Sequence, residues 1–271
     1  MSATGEYLLG TQDPELERLR LQHEIWREPM TELLDAAGFC RDQRLLDLGS
    51  GPGWSSLELA RRVGPGGFVH SRDLSPRMTD AAAALMQSEK ITWTKTDCAD
   101  AAAPLPAKSF DGAYARWIFC WLPDPMPALQ SVARALKPGG QLAVADYLRY
   151  APEIGLAPSG KAFRRGIEAV EASWRAAGGD PRIGERLPAM LERAGFEVVH
   201  RRELRRTGNP GDPLWQWPTS FFPLFVPRLV MDGWLTVHEG DEFLEEWRAA
   251  GKSPAGFFHA PPMLDLVGRV S

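Results

Sequence analysis

The sequence feature that most constrains the fold is a glycine-rich turn between a short apolar run and a helix-forming segment. The run Leu45–Leu48 leads into Gly49-Ser50-Gly51-Pro52-Gly53, and residues 54–60 follow as a helix-forming segment. This order predicts a buried strand, a turn and a helix, which form the first unit of a ligand-binding α/β sheet. Glycines let the backbone approach a ligand closely, and the helix N-terminus favours a carboxylate or a phosphate.

The spacing of the glycines separates two classes of cofactor. The dinucleotide-binding pattern G-x-G-x-x-G needs a third glycine at position 54, where this chain has Trp54. An indole is too bulky for the close helix–strand packing that this glycine permits. The spacing here is G-x-G-x-G, which disfavours a nicotinamide dehydrogenase.

The segments that follow alternate between strand and helix patterns, and this predicts a parallel, doubly wound sheet. Ser75 is a predicted N-cap with Pro76 in the first turn of the next helix. The predicted strands are Phe68–Asp73, Ile91–Lys95 (ending at Thr96-Asp97-Cys98), Phe110–Ala115 and Gln141–Asp146, and Asp124–Leu136 is a predicted helix.

Three motifs occur in a family's expected order: Asp47-Leu48-Gly49-Ser50-Gly51-Pro52-Gly53, Ser109-Phe110-Asp111 and Leu136-Lys137-Pro138-Gly139-Gly140. The chain thereby resembles the class I S-adenosylmethionine-dependent methyltransferases, of the kind that act on small molecules in specialised metabolism. The resemblance implies an α/β, Rossmann-like fold: a doubly wound, mostly parallel seven-stranded sheet with an added helical lid. Residues 187–196 resemble the helix before the sixth strand, 197–204, and residues 257–270 resemble the antiparallel seventh strand.

The resemblance and the segments that exceed the minimal fold predict the organisation of the chain. The predicted parts are an N-terminal helical lid segment (1–40), the cofactor-binding half of the core (41–148), a lid insertion (149–183), a core helix and strand (184–207), an aromatic-rich lid insertion (208–252) and the final core strand (253–271). The aromatic side chains of the lid have two interpretations: they form a satellite core, or they contact the substrate.

The resemblance also implies roles for individual residues. Asp73, about twenty residues after the last glycine, is expected to hold the ribose hydroxyls of S-adenosylmethionine. The other expected cofactor contacts are Gly49, Ser50 and Gly51 at the methionine half, Leu74 against the adenine, Asp97 and Cys98 at the adenine edge, Arg116 near the methyl group, and Tyr7 and Gln22 from the N-terminal segment. Trp117, Tyr147 and Trp217 are expected to bind the substrate.

Two histidines are candidate general bases, because histidine titrates near neutral pH. His259 begins the predicted antiparallel strand, so it is expected at the ligand edge with apolar neighbours that lower its pKa. His23 is adjacent to Gln22 and is the second candidate. Catalysis by alignment alone, without a side-chain base, stays open. No metal site is expected, because the single asparagine, Asn209, lies far from Asp146.

The predicted function is methyl transfer to a small, apolar or aromatic acceptor at an oxygen, nitrogen or carbon atom. The alternatives are a family member that binds the cofactor but catalyses a rearrangement or only binds a ligand, and, less favoured, an NAD-dependent oxidoreductase. The net charge of −4 gives no basic footprint for nucleic acid.

Cysteine usage and hydropathy predict the setting of the protein. Three widely spaced cysteines indicate a reducing compartment, so a cytoplasmic protein is expected. The most apolar segment, 221–231, is short and interrupted by Pro223 and Pro227, so no membrane partner is expected. A homo-oligomer stays open.

Overall fold

The computed structural model describes residues 13–158 and 160–271, so Tyr7 lies outside the described residues. The helices are α1 (Asp13–Ala36), α2 (Trp54–Val63), α3 (Pro76–Ser88), α4 (Met126–Ala135), α5 (Lys161–Ala176), α6 (Leu187–Arg193), α7 (Pro213–Met231) and α8 (Val237–Lys252). The strands are β1 (Arg44–Leu48), β2 (Phe68–Asp73), β3 (Thr94–Cys98), β4 (Phe110–Arg116), β5 (Leu136–Tyr147), β6 (Gly155–Ala157), β7 (Phe196–Leu204), β8 (Thr207–Gly208), β9 (Phe257–His259) and β10 (Met263–Val270).

The main sheet has seven strands in the order β3-β2-β1-β4-β5-β10-β7. Strands β1 to β5 pair in parallel, and β10 lies antiparallel between β5 and β7. The predicted doubly wound, mostly parallel sheet with an antiparallel last strand is therefore confirmed. In this order β1 and β4 lie side by side in the middle of the sheet, so the turn after β1 opens beside the end of β4.

Strand β1 shows why the sheet is buried on both faces. Leu45 belongs to one apolar cluster with residues of α1 and α2, whereas Leu46 and Leu48 belong to the cluster on the opposite face. Side chains alternate across a strand, so a continuous apolar run serves two cores at once. The burial of both faces fixes the carboxyl end of β1, where the glycine turn begins.

The segments beyond the minimal fold pack on each other. Helices α5, α7 and α8 share an aromatic core in which Phe163 stacks on Phe243 at 5.3 Å between ring centroids and Trp215 stacks on Trp247 at 4.3 Å. A small sheet of order β6-β9-β8 lies beside them. Part of the predicted lid thus forms a satellite core. Among the helices of the described residues, none combines the length and the apolar character needed to cross a bilayer.

Pro223 and Pro227 suggest that the apolar segment 221–231 is interrupted. Helix α7 nevertheless runs unbroken from Pro213 to Met231 and contains a third internal proline, Pro218. Each internal proline removes a backbone hydrogen bond and favours a kink. Helix α7 buries a row of large aromatic side chains, and this burial outweighs the local cost.

Several strand boundaries also differ from the sequence-based expectation. Strand β5 begins at Leu136 instead of Gln141, because Leu136 already pairs with Phe110 of β4. The third strand begins at Thr94, because Trp93 turns aside and donates its indole N–H to the Ala60 carbonyl at 2.8 Å. The predicted final strand is divided into β9 and β10 by Ala260-Pro261-Pro262. Proline has no N–H for a strand ladder, so the chain leaves the main sheet there and β9 joins the small one.

We expect Gly53→Ala to destabilise the fold by about 2–5 kcal/mol, because strain and overpacking add. Gly53 has φ +89, and a Cβ there would lie 2.8 Å from the Ala82 Cβ of α3. The matched control is Gly195→Ala, which has φ +94 with nothing within 4 Å. It is expected to cost only the backbone strain, about 1–2 kcal/mol. Urea unfolding followed by circular dichroism measures both, and equal losses would contradict the role of Gly53 in helix packing.

Candidate active site

The glycine turn is fixed to the end of the neighbouring strand by backbone hydrogen bonds. The N–H groups of Gly49 and Ser50 both donate to the Arg72 carbonyl, at 2.8 and 3.0 Å. Gly51 has φ +53, and a Cβ built on it would meet nothing within 4 Å. The turn therefore presents backbone, without side-chain bulk, to a cavity of about 170 Å³.

Asp73 lies at the end of β2 and fixes this turn. Its carboxylate accepts from the Gly51 N–H and from the Ser75 N–H, both at 2.9 Å. Burial raises the pKa of Asp73, while these N–H donors lower it. Ser75 caps α3 as predicted, with its hydroxyl accepting from the Met78 N–H. The structure thus brings together the turn, Asp73 and Leu74, all of which line the cavity.

Asp47 lies beneath the turn and supports it from below. Its carboxylate accepts from the Ser55 and Ser56 hydroxyls at 2.7 and 2.6 Å, and burial raises its pKa to about 6. Asp47 is 1% exposed and does not line the cavity. This carboxylate therefore orients the start of α2.

Asp97 and Cys98 do not reach the cavity. Asp97 lies opposite Arg72 in the register of β2 and β3 and accepts from its guanidinium at 2.7 Å, which lowers the pKa of Asp97. The Cys98 thiol is exposed and donates to the Leu74 carbonyl at 3.5 Å. The cavity wall at this place is formed by Ala99, Asp100 and Ala101.

Arg116 lies at the end of β4 and carries its charge into the cavity wall. One guanidinium nitrogen, Nη2, lies 3.2 Å from the His23 Nδ1, and the guanidinium carbon lies 5.1 Å from the Trp117 ring centroid. The other, Nη1, is buried with almost no accessible surface. Burial raises the pKa of the Tyr114 hydroxyl, and the nearby Arg116 guanidinium lowers it. Because Arg116 lines the cavity and is always charged, its guanidinium favours an anionic group of a ligand there.

His23 is held between Arg116 and Glu58. Arginine is always a donor, so Nδ1 accepts from Arg116, and Nε2 lies 3.9 Å from the Glu58 carboxylate. This pairing favours the neutral tautomer with its proton on Nε2. Burial lowers the pKa of His23, and the Arg116 charge lowers it further.

A second, smaller cavity of about 50 Å³, called the aromatic cavity below, adjoins the first. The two share the side chains of Gln22, Trp117 and Trp121. The rest of its wall is mostly aromatic and apolar: Arg18, Tyr147, Tyr150, Ile154, Trp174, Trp217, Pro218, Phe221, Phe222, Phe258 and Pro261. The structure thus brings Trp117, Tyr147, Trp217 and Gln22 together around one space.

Trp117 is the main part of the shared wall. It has φ +51, a left-handed conformation that a bulky residue adopts only under strong constraint. The constraints are visible: its indole N–H donates to the Met263 sulfur at 3.3 Å, and its ring stacks on Trp217 at 5.8 Å and meets Trp26 edge-on at 5.6 Å. The ring therefore stands in a fixed position between the two cavities.

His259 does not lie at either cavity. Strand β9 belongs to the small sheet, where the His259 ring is exposed and Nδ1 lies 2.7 Å from the Thr207 hydroxyl. The prediction placed it at the ligand edge on the assumption that residues 257–270 form one strand. The division at Pro261-Pro262 removes it from that edge.

Sequence reasoning missed two residues on α1. Glu15 and Arg18 form an ion pair at 2.6 Å with side chains 5% and 4% exposed, and the Arg18 Nη1 donates to the Gln22 Oε1 at 2.9 Å. Their spacing, with Arg18 and Gln22 four residues apart, places all three on one helix face. Residues 13–158 and 160–271 contain no group of three side chains arranged to hold a metal ion.

Comparison with known proteins agrees with this fold. A family model described as "Methyltransferase domain" matches residues 46–144. Trans-aconitate 2-methyltransferase of Methylobacterium radiotolerans is 35% identical over 62% of this chain, which spans only 60% of that relative's length. O-methyltransferase rstn1 of Aspergillus nomiae is 30% identical over 69% of this chain and 79% of the relative. The structure titled as a putative methyltransferase from Bacillus halodurans superposes with a TM-score of 0.62 at 18% identity, over 88% of this chain and 97% of that one.

The chain belongs to the class I S-adenosylmethionine-dependent methyltransferase family. Its residues fit the family's cofactor, S-adenosylmethionine, at the larger cavity. Gly51 leaves room for a ligand against the backbone, Asp73 offers carboxylate lone pairs that suit ribose hydroxyls, and the Arg116 guanidinium in the cavity wall suits an amino-acid carboxylate.

We expect the His23–Arg116 contact to make stability depend on pH. The folded-state pKa of His23 lies below the ordinary value of 6.5, so its contribution is full above pH 6.5 and is lost as pH falls through the folded pKa. The free energy of unfolding should fall below that pH with a slope of up to about 1.4 kcal/mol per pH unit from this group.

The measurement is urea unfolding between pH 5 and 8 for the wild type and His23→Gln, which keeps an acceptor but does not titrate. The difference between the two curves isolates His23 from the other buried groups. His238→Gln is the control, because His238 is 81% exposed. Parallel wild-type and His23→Gln curves would contradict the buried, neutral His23.

Proposed function

We propose that this chain transfers a methyl group from S-adenosylmethionine to a small, apolar or aromatic acceptor. The observation that carries the proposal is the shared wall, since Gln22, Trp117 and Trp121 line both cavities. A donor in the larger cavity and an acceptor in the aromatic one would meet at this wall. When bound, S-adenosylmethionine supplies an electrophilic methyl group on a sulfonium.

The chain's own residues would hold the cofactor at both ends. We assign the ribose hydroxyls to Asp73, whose oxygens each have lone pairs beyond the one used for Gly51 or Ser75. Leu74, 38% exposed at the cavity, is assigned to the adenine. Arg116 is assigned to the carboxylate of the methionine half, because its charged guanidinium lines the cavity.

Alignment would supply most of the catalysis. Trp117 is fixed by several contacts, so an acceptor ring packed on it has little freedom to turn away. The aromatic wall excludes water and suits a step in which a positive charge disappears. The Nδ1 lone pair of His23 already accepts from Arg116, so we assign His23 to positioning Arg116 in place of the predicted base role.

The names of two similar proteins support an oxygen atom as the acceptor. The relative from Aspergillus nomiae is named as an O-methyltransferase, as is a relative from Aspergillus sclerotiorum that is 29% identical over 68% of this chain. We therefore propose oxygen ahead of nitrogen or carbon. A family member that binds the cofactor without methylating is the alternative, and transfer of isotope-labelled methyl to an acceptor separates the two.

Asp73→Asn should weaken S-adenosylhomocysteine binding by about 1.5–3 kcal/mol, the value of a hydrogen bond to a charged group. The variant loses acceptor capacity toward the ribose and places an amide N–H against a backbone donor. Isothermal titration calorimetry measures the change. Asp80→Asn, at an exposed position on α3, is the control and should bind normally. Unchanged affinity of folded Asp73→Asn would refute the ribose assignment.

Two tryptophans lie two positions apart on α7. Their effects on the acceptor KM distinguish a residue that binds the acceptor from one that only packs. Trp217 lines the aromatic cavity, whereas Trp215 lines neither cavity and stacks on Trp247. Trp217→Phe should raise the acceptor KM about tenfold or more, and it should also lower the melting temperature, because Trp217 is buried and its indole donates to Gln22. Trp215→Phe should lower the melting temperature and leave the KM within about twofold. Steady-state kinetics and thermal melts measure both, and a reversed pattern would place the acceptor elsewhere.

A further inference from the structure

Arg18 is the one charged side chain among the described residues that line the aromatic cavity. It is 4% exposed, and its guanidinium carbon lies 5.8 Å from the centroid of the Phe221 ring. The rest of that wall is aromatic, aliphatic or uncharged. A cation in such a place acts through a low local dielectric, so its field on a bound molecule is strong.

The positive end of the Arg18–Glu15 pair faces the cavity. Glu15 accepts from the Arg18 Nε and Nη2 at 2.7 and 2.6 Å, but Glu15 is not part of the cavity wall. A ligand in the cavity therefore meets the cation of the pair and not the carboxylate.

A buried ion pair between two residues of α1 is a costly means of stabilising this helix or its packing. Desolvation of two charges offsets most of their attraction, and apolar residues of similar volume often stabilise a fold equally well. The position already contains Trp217 and Phe221, against which an apolar side chain would pack. This cost favours a role for Arg18 in recognition.

We propose that the aromatic cavity binds an acceptor with a planar apolar ring and one carboxylate group, and that the carboxylate faces Arg18. The inference rests on the proposed function, in which this cavity is the acceptor site. A guanidinium matches a carboxylate in shape as well as in charge, and the surrounding rings match a planar body. The Gln22 Oε1 accepts from both Trp217 and Arg18, at 2.8 and 2.9 Å, and so holds the guanidinium against the shared wall.

The test uses three probes that share one ring: benzoate, benzamide and benzylammonium. Each is titrated into the protein saturated with S-adenosylhomocysteine, and tryptophan fluorescence reports binding because Trp117, Trp121, Trp174 and Trp217 line the cavity. Benzoate should bind about 10- to 100-fold more tightly than benzamide, which corresponds to a charge-assisted hydrogen bond. Benzylammonium should bind most weakly, since its charge repels Arg18.

The variant is the double substitution Glu15→Gln, Arg18→Gln, which removes both charges and leaves no buried carboxylate unpaired. The preference for benzoate over benzamide should fall to within about threefold, with S-adenosylhomocysteine affinity unchanged. Arg20→Gln is the control, because Arg20 lies on the same helix and pairs with Glu17 at the surface, and it should keep the preference. Glu15→Gln alone should strengthen benzoate binding, since it removes a negative charge beside Arg18.

Equal binding of benzoate and benzamide by the wild type, or no binding of any probe, would overturn the inference without reference to any variant. Methyl transfer to acceptors that show no charge preference would also overturn it and would leave the proposed function standing. A clear benzoate preference without transfer of labelled methyl to any acceptor would contradict the proposed function and would support recognition by Arg18.

Discussion

The rest of the structure depends on the hydrogen bond between the Gly51 N–H and the Asp73 carboxylate. This contact ties the turn after β1 to the end of β2, and the second Asp73 oxygen ties both to the start of α3. Burial opposes the charged carboxylate, and the backbone donors compensate. Because Gly51 has no side chain, the turn lines the larger cavity with backbone at this position.

Helix α1 forms part of the wall of both cavities. His23 reaches Arg116 at the end of β4, and Gln22 reaches Trp217 on α7. Adjacent residues of one helix thus contact the cofactor side and the lid side, with Trp117 fixed between them by Met263 and Trp217.

The sequence predicts the fold well because its signals are local. The glycine turn, Asp73 and the strand–helix alternation each follow from a few consecutive residues. The position of a side chain cannot be predicted where a residue distant in the sequence determines it. Asp97 pairs with Arg72 across β2 and β3, and Arg18 faces a cavity that forms only when α7 packs on α1. His259 is different, since Pro261-Pro262 already marked the strand break in the sequence.

The central claim is that the cofactor's sulfur and the acceptor meet at the Trp117 wall, and a crystal structure grown with S-adenosylhomocysteine tests it most directly. The account predicts electron density with the ribose on Asp73, the amino-acid carboxylate at Arg116 and the thioether sulfur beside Trp117, facing the aromatic cavity. Density that places the sulfur away from Trp117, with the ribose off Asp73, would contradict the account.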